Sequence, residues 1–213
     1  MNNHLKPIGA ILIISICLIF THTNSTAETK KEFSDMEGHW AQNAVNWASN
    51  LNIVTGYPQG DFRPNNSVSQ SEFLTMMVNM FVSKDPSLKT ALDKVNPPDK
   101  EWDAKVFQLA NDNNWTIGER GSLASRGRVA YLLVNSQGLN CTLNESVQSL
   151  LSDNISKGKI DATVDGYRSG DTLTRAEAVT FLQNAYSKYS KMVRAETGHS
   201  TSCPRLVSTV TPP

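Results

Sequence analysis

The stretches FRPNNSVSQSE (residues 62–72) and YRSGDTLTRAE (residues 167–177) superimpose without a gap over eleven residues, and that alignment decides the fold. Phe62 falls on Tyr167, Arg63 on Arg168, and Ser69-x-x-Glu72 on Thr174-x-x-Glu177. A hydroxyl followed three residues later by Glu is a capping box: the hydroxyl accepts from the Glu backbone N–H, and the carboxylate reaches back to the N–H of the capping residue. Each stretch therefore delivers an irregular loop into a helix start. Behind the first, Phe73, Met76, Met77, Met80 and Phe81 recur at helical spacing; behind the second, Ala178, Phe181, Leu182 and Ala185 do the same. Ahead of the first lies another helical stripe, Ala41, Ala44, Val45, Ala48 and Leu51. Gly56, Pro58, Gly60 and Pro64 then forbid regular structure between the two helices.

The same design recurs elsewhere. Thr142-x-x-Glu145 is a further capping box, ahead of Val147, Leu150 and Leu151. A blurred middle unit has Trp102, Val106, Leu109 and Ala110 on its first helix, and Val129, Leu132 and Leu133 on its second. Its cap reads Ser125-Arg126-Gly127-Arg128, with Arg where the capping Glu should be. The caps are separated by 56 residues (Ser69 to Ser125) and 49 residues (Ser125 to Thr174), a period that signals repeated units. One such unit cannot bury its own apolar stripe, but three can pool theirs. The expected fold is all-α: three helix–loop–helix repeats at 33–84, 95–138 (degenerate) and 139–190, arranged as a pseudo-threefold bundle with loops lining grooves between neighbours. Glu72→Ala and Glu177→Ala are each expected to lower stability by roughly 0.5 to 2 kcal/mol through the cap.

Residues 1–27 carry one cation, Lys6, an apolar run of about 13 residues, and small residues at Ser25-Thr26-Ala27; this reads as a signal peptide. The run is shorter than the roughly 20 residues that span a bilayer, so a retained anchor is the weaker reading. Ile16 before Cys17 argues against a lipoprotein signal. Removing 27 of 213 residues leaves 186, room for one domain but no large second one. The full chain holds 20 basic and 20 acidic side chains, which argues against a nucleic-acid partner, and no membrane contact is expected after cleavage. His39 and His199 are the histidines left, so neither a nucleophilic site nor a His/Cys metal site is expected, and no cofactor. Residues 191–213, rich in Ser, Thr and Pro, are expected to form a disordered, dispensable tail. Pairing of Cys141 with Cys203, which lies in that tail, is left open.

FSDMEGHWAQNAV (residues 33–45), the loop Gly56-Tyr57…Gly60-Asp61-Phe62-Arg63-Pro64, and Thr174-Arg175-Ala176-Glu177 together resemble S-layer homology repeats. Repeat one departs in having Ser69-Gln70-Ser71-Glu72 for Thr-Arg-Ala-Glu, and repeat three lacks the His-Trp opening. Repeat two keeps only Trp102 and Ser125-Arg126. The resemblance implies a three-pronged helical module at the cell surface. Such a module docks a secreted protein non-covalently on an acidic, often pyruvylated, secondary polysaccharide of the Gram-positive wall. It also implies that the Arg of the Thr-Arg-Ala-Glu motif, with a Trp and an Asp from the first-helix region, faces the sugar.

On that basis the polysaccharide-binding candidates are Arg126, Arg175, Trp40, Trp102, Asp35, Gly60, Arg63 and Arg168. A cation at a helix N-terminus opposes the macrodipole, so helix stability does not explain Arg175, whereas a guanidinium forks onto a carboxylate. Arg126 holds the same position; Gln70, its counterpart in repeat one, lacks the charge. Trp40 is read equally as core or as groove wall, and Trp102 as core first. Asp35 is read as a helix cap first and a sugar acceptor second. His39, Trp47, Trp115 and the Met76, Met77, Met80 cluster are read as structural. No catalytic residue is assigned and the chain is expected not to be an enzyme. The alternatives are a small wall-glycan hydrolase using two carboxylates, and an adaptor binding another surface protein.

Overall fold

The computed structural model describes residues 32–205, so the expected signal peptide lies outside the described residues. The chain is all-α. Its described residues form seven helices: α1 (Gln42–Asn50), α2 (Gln70–Lys84), α3 (Ser87–Lys94), α4 (Ala104–Asp112), α5 (Arg126–Asn135), α6 (Leu143–Ser152) and α7 (Arg175–Tyr186). None of them is long and apolar enough to cross a membrane. The helix α3 is not legible in the periodicity: it has no fully buried residue, and bridges the first two repeats with Leu88 and Leu92 half-buried.

Local chemistry explains the helix ends. Ser69, Thr142 and Thr174 each form the complete capping box expected of them. Ser125 accepts from Arg128 N–H at 3.2 Å, but an Arg side chain cannot accept in return, so that box stays half made. The first helix of each repeat closes in one way. Asn52, Asn114 and Asn154 take left-handed φ of 55°, 57° and 56°, and the residue after each donates back into the helix: Ile53 to Ala48 O, Trp115 to Ala110 O, Ile155 to Leu150 O. This is a Schellman closure with Asn in the usual glycine place.

The three second-helix caps meet at one point. Val68 N–H donates to Leu173 O, Leu173 N–H to Ala124 O, and Ala124 N–H to Val68 O, each at 2.9 Å, which closes a ring joining the segments that lead into α2, α5 and α7. Two residues further along each chain segment, the N–H groups of Gln70, Arg126 and Arg175 donate to Ser122 O, Asp171 O and Asn66 O. These bonds occupy helix-start donors that have no partner within a helix. Around this ring α1 packs on α7, α4 on α2, and α6 on α5. The shared core includes Phe62, Phe73, Met77, Met80, Phe81, Leu132, Leu133, Tyr167 and Leu182, all fully buried.

Two expectations are corrected. The segment 191–205 is not a disordered tail: Val193 bridges Gln137 in parallel, Ala195 and Ser200 are buried, and Cys141 and Cys203 form a disulfide. Asp35 does not cap α1, whose N-cap residue Ala41 makes no side-chain capping hydrogen bond. Its carboxylate instead receives the backbone N–H groups of Phe62 (2.8 Å) and Arg63 (2.7 Å) and pins that loop, so no sugar acceptor is needed to explain it.

Candidate inter-repeat grooves

Arg175, the first residue of α7, is 5% exposed. Its Nε donates to Phe62 O at 2.9 Å and its Nη1 lies 2.7 Å from Glu72 Oε1. The guanidinium stacks over Phe62 and Tyr57, with ring centroids 4.7 and 4.9 Å away. Arg126, the first residue of α5, repeats this. Its Nε donates to Tyr167 O at 2.8 Å, its Nη1 lies 3.1 Å from Glu177 Oε1, and it stacks over Tyr167 and Phe181. The Tyr167 hydroxyl in turn donates to Arg126 O at 2.8 Å, and burial pushes the phenol pKa up from its usual value.

The capping glutamates thus serve two contacts each. Glu72 Oε2 receives the Ser69 N–H that closes its own helix, while Oε1 takes Arg175 from another repeat. Glu177 does the same with Thr174 and Arg126. Sequence reading finds these residues only as caps. The signal for the second role is an Arg at the first helical position of one repeat matched to a Glu at the third position of another.

Each pair borders a cleft. The first, about 290 Å³, runs from Trp102 across Arg175 and Glu72 to the turn after α1 at Val54, Gly56 and Tyr57. The second, about 640 Å³, runs from Trp40 across Arg126 and Glu177 to the turn after α6 at Asn154, Lys157 and Gly158. Gly56 and Gly158 both have positive φ, and a Cβ on either would collide with Phe33 and with the Asp161 carbonyl respectively, so these turns require glycine. Asn79 and Asn184 each donate to a turn carbonyl, of Ile53 and of Ile155. Trp40 is 65% exposed and Trp102 67%, which corrects the core reading of Trp102: both indoles are open platforms beside a guanidinium. Among the described residues the Nη2 of neither Arg has a hydrogen-bond partner. Such a site can stack a sugar ring and offer a cationic donor to an acidic substituent.

The other candidates lie elsewhere. Gly60 shapes a turn, with φ of 88°. Arg63 pairs with Asp61 at 2.8 Å and covers Tyr57, its own pKa raised chiefly by the Asp61 hydrogen bond. Arg168 lines a separate surface cavity with Asp171, whose carboxyl Lys159 holds below its usual pKa. Arg63 and Arg168 share φ of 60°, so they are equivalent loop positions, but neither borders the two clefts. His39 accepts from Ala41 N–H and is structural. Cys141, Cys203 and Glu145 lie together, but the disulfide takes both sulfurs.

Residues 32–74, which include α1, the loop and the start of α2, match the sequence profile of the S-layer homology domain. The match covers those 43 residues, about a fifth of the chain. The chain is similar to S-layer protein EA1 of Bacillus anthracis, 23% identical over 92% of this chain and 24% of that protein. It is also similar to cell surface glycoprotein 1 of Acetivibrio thermocellus, 30% identical over 41% of this chain and 3% of that protein. A third relative is the cellulosome-anchoring protein of the same organism, 28% identical over 44% of this chain and 21% of that protein. The chain therefore spans no more than about a quarter of the length of these curated relatives. The matched segment and these relatives support a location at the cell surface or cell wall.

Proposed function

We infer that this chain is a non-enzymatic anchor, holding itself non-covalently at the cell surface by binding an acidic, pyruvylated secondary wall polysaccharide. The observation that carries this reading is the pair of clefts in which an exposed Trp flanks a nearly buried Arg paired with a partly exposed Glu. Sugar rings stack on Trp40 and Trp102, and the ketal carboxylate is received by Arg126 or Arg175. Attachment at the surface is also supported by the family match and by a relative named as an anchoring protein. In this reading the repeats 33–84, 95–138 and 139–190 form one pseudo-threefold module, supported by the hydrogen-bond ring through Val68, Ala124 and Leu173.

Co-sedimentation with purified sacculi, before and after the secondary polymer is stripped, tests the anchor. Binding isotherms on isolated polymer with and without its acidic substituent test the chemistry. Binding should fall when the substituent is removed and weaken with salt, though less steeply than for a protein that coats a polyanion. Equal affinity for both polymers would refute the acidic-ligand assignment.

A further inference from the structure

Three inter-repeat seams exist, and the third is equipped differently. Where the other seams have Arg at the first helical position and Glu at the third, this one has Gln70 and Arg128. Seven residues before the caps stand Phe62 and Tyr167, but the same count from Ser125 reaches Gly118. The residue before the N-cap of a first helix is Trp40 or Trp102 in the open clefts and Cys141 here. Gln70 is 1% exposed with its Nε2 unpartnered, and Arg128, with no carboxylate partner among the described residues, donates to Thr116 O.

In the open clefts the empty space lies between the turn after one first helix and the Trp ahead of another. The corresponding gap here lies between the turn after α4 and Cys141, and the C-terminal segment runs through it. Trp115 Nε1 donates to Val193 O at 3.2 Å, Ala195 N–H to Asn113 O at 2.9 Å, and Asn114 Nδ2 to Ala195 O at 3.0 Å. On the other side, Ser200 N–H donates to Asn140 O at 2.9 Å and Asn140 N–H to Ser200 Oγ at 2.8 Å. Cys203 is bonded to Cys141 at the position of the missing Trp.

We propose that residues 191–205 are the built-in occupant of the third cleft, locked there by the Cys141–Cys203 disulfide, so that the chain offers an acidic glycan two sites instead of three. The count of sites rests on the glycan reading above; the occupancy by the tail does not. The disulfide replaces by covalent closure what a ligand-facing Trp and an Arg–Glu pair supply at the other seams.

Two measurements test this with the whole oxidised chain. Calorimetric titration with a monosaccharide carrying a pyruvate ketal should give two sites. One of the two should weaken about 10-fold in Trp40→Ala or Trp102→Ala, and both should be unchanged in Arg128→Ala. Three sites, or loss of a site in Arg128→Ala, overturns the proposal while leaving the glycan reading intact; no binding at all overturns the glycan reading and with it the count. Amide exchange decides the occupancy without ligand. The Val193, Ala195 and Ser200 amides should be protected in the oxidised chain, and should exchange at least 10-fold faster in Cys203→Ser or after dithiol reduction, while the Val68 and Leu173 amides hold. Unprotected tail amides in the oxidised chain, or protection unchanged by reduction, would show that no disulfide-locked occupant exists.

Discussion

The seams at Arg175 and Arg126 differ from the seam at Gln70 in how they satisfy the same backbone. All three place a second-helix start against a loop of another repeat, with the first N–H donating to a neighbouring carbonyl. At two seams a guanidinium fills the space beneath, holding a loop carbonyl and a capping carboxylate at once. At the third, an amide too short to span that distance leaves a buried nitrogen unpaired, and a disulfide-tied segment closes the cleft from outside. A seam can thus be held by a polar network that still presents donors to a ligand, or by covalent closure that presents none. Only the first arrangement couples stability to binding.

That coupling gives the largest expected effect. Arg175→Ala or Arg126→Ala removes a nearly buried guanidinium together with its bonds to a loop carbonyl and a partly exposed capping carboxylate, and should lower unfolding stability by about 3 kcal/mol, as well as weakening glycan binding. Urea unfolding of the two variants beside Gln70→Ala, expected to lose less than about 1 kcal/mol, checks the contrast. Equal losses at all three positions would break it. Of similar size is the loss on opening the disulfide: it closes a separation of 62 residues, so Cys203→Ser should lower stability by about 2 to 4 kcal/mol, read as a fall in thermal midpoint. An unchanged midpoint would return residues 191–205 to the status of a dispensable tail.

Next come the platforms. Trp40→Ala and Trp102→Ala should each reduce glycan affinity by about 1 to 2 kcal/mol, while stability stays within about 0.5 kcal/mol because both rings are exposed. A stability loss larger than the binding loss would make them structural after all. The smallest effect belongs to Glu145, where the third seam touches its tail. The His199 hydrogen bond, then those from Thr142, hold this carboxyl at about 2 against an ordinary 4.5. A depressed carboxyl stabilises the fold fully above its ordinary pKa, and that contribution is lost as pH falls from 4.5 through about 2. The pair is at the surface, so Glu145→Gln should differ from the parent by under about 1 kcal/mol at pH 6, the gap closing near pH 2. A gap that persists at pH 2 would show that the ion pair plays no part in it.

Much of this architecture is legible in the residues alone. Capping boxes depend on residues three apart, and all three expected from the sequence form as read. Met76, Met77 and Met80 are buried, as is Trp115. The Schellman asparagines carry a further signal: Asn52, Asn114 and Asn154 stand at equivalent places and align the degenerate middle repeat from its first helix. The two tryptophans are less legible, because a large apolar ring at a helix start reads equally as core or as platform until its neighbours are placed. The tail misleads because Ser, Thr and Pro remove the periodic signal of a helix, yet a segment without its own secondary structure can still be held by backbone bonds to others.

By itself the sequence determined the helices other than α3 and the three capping boxes, because these rest on neighbours within a turn or two of the chain, where side-chain type and spacing dictate geometry. Only the tertiary structure decided which partner each charged or reactive side chain would find. Arg175 meets Glu72 across 103 residues, Arg126 meets Glu177 across 51, and Cys141 meets Cys203 across 62. Repeats of nearly equal length can pair in more than one order. The order is fixed when α1 packs on α7 and the three caps close their ring, a contact between the two ends of the repeat array that no local pattern encodes.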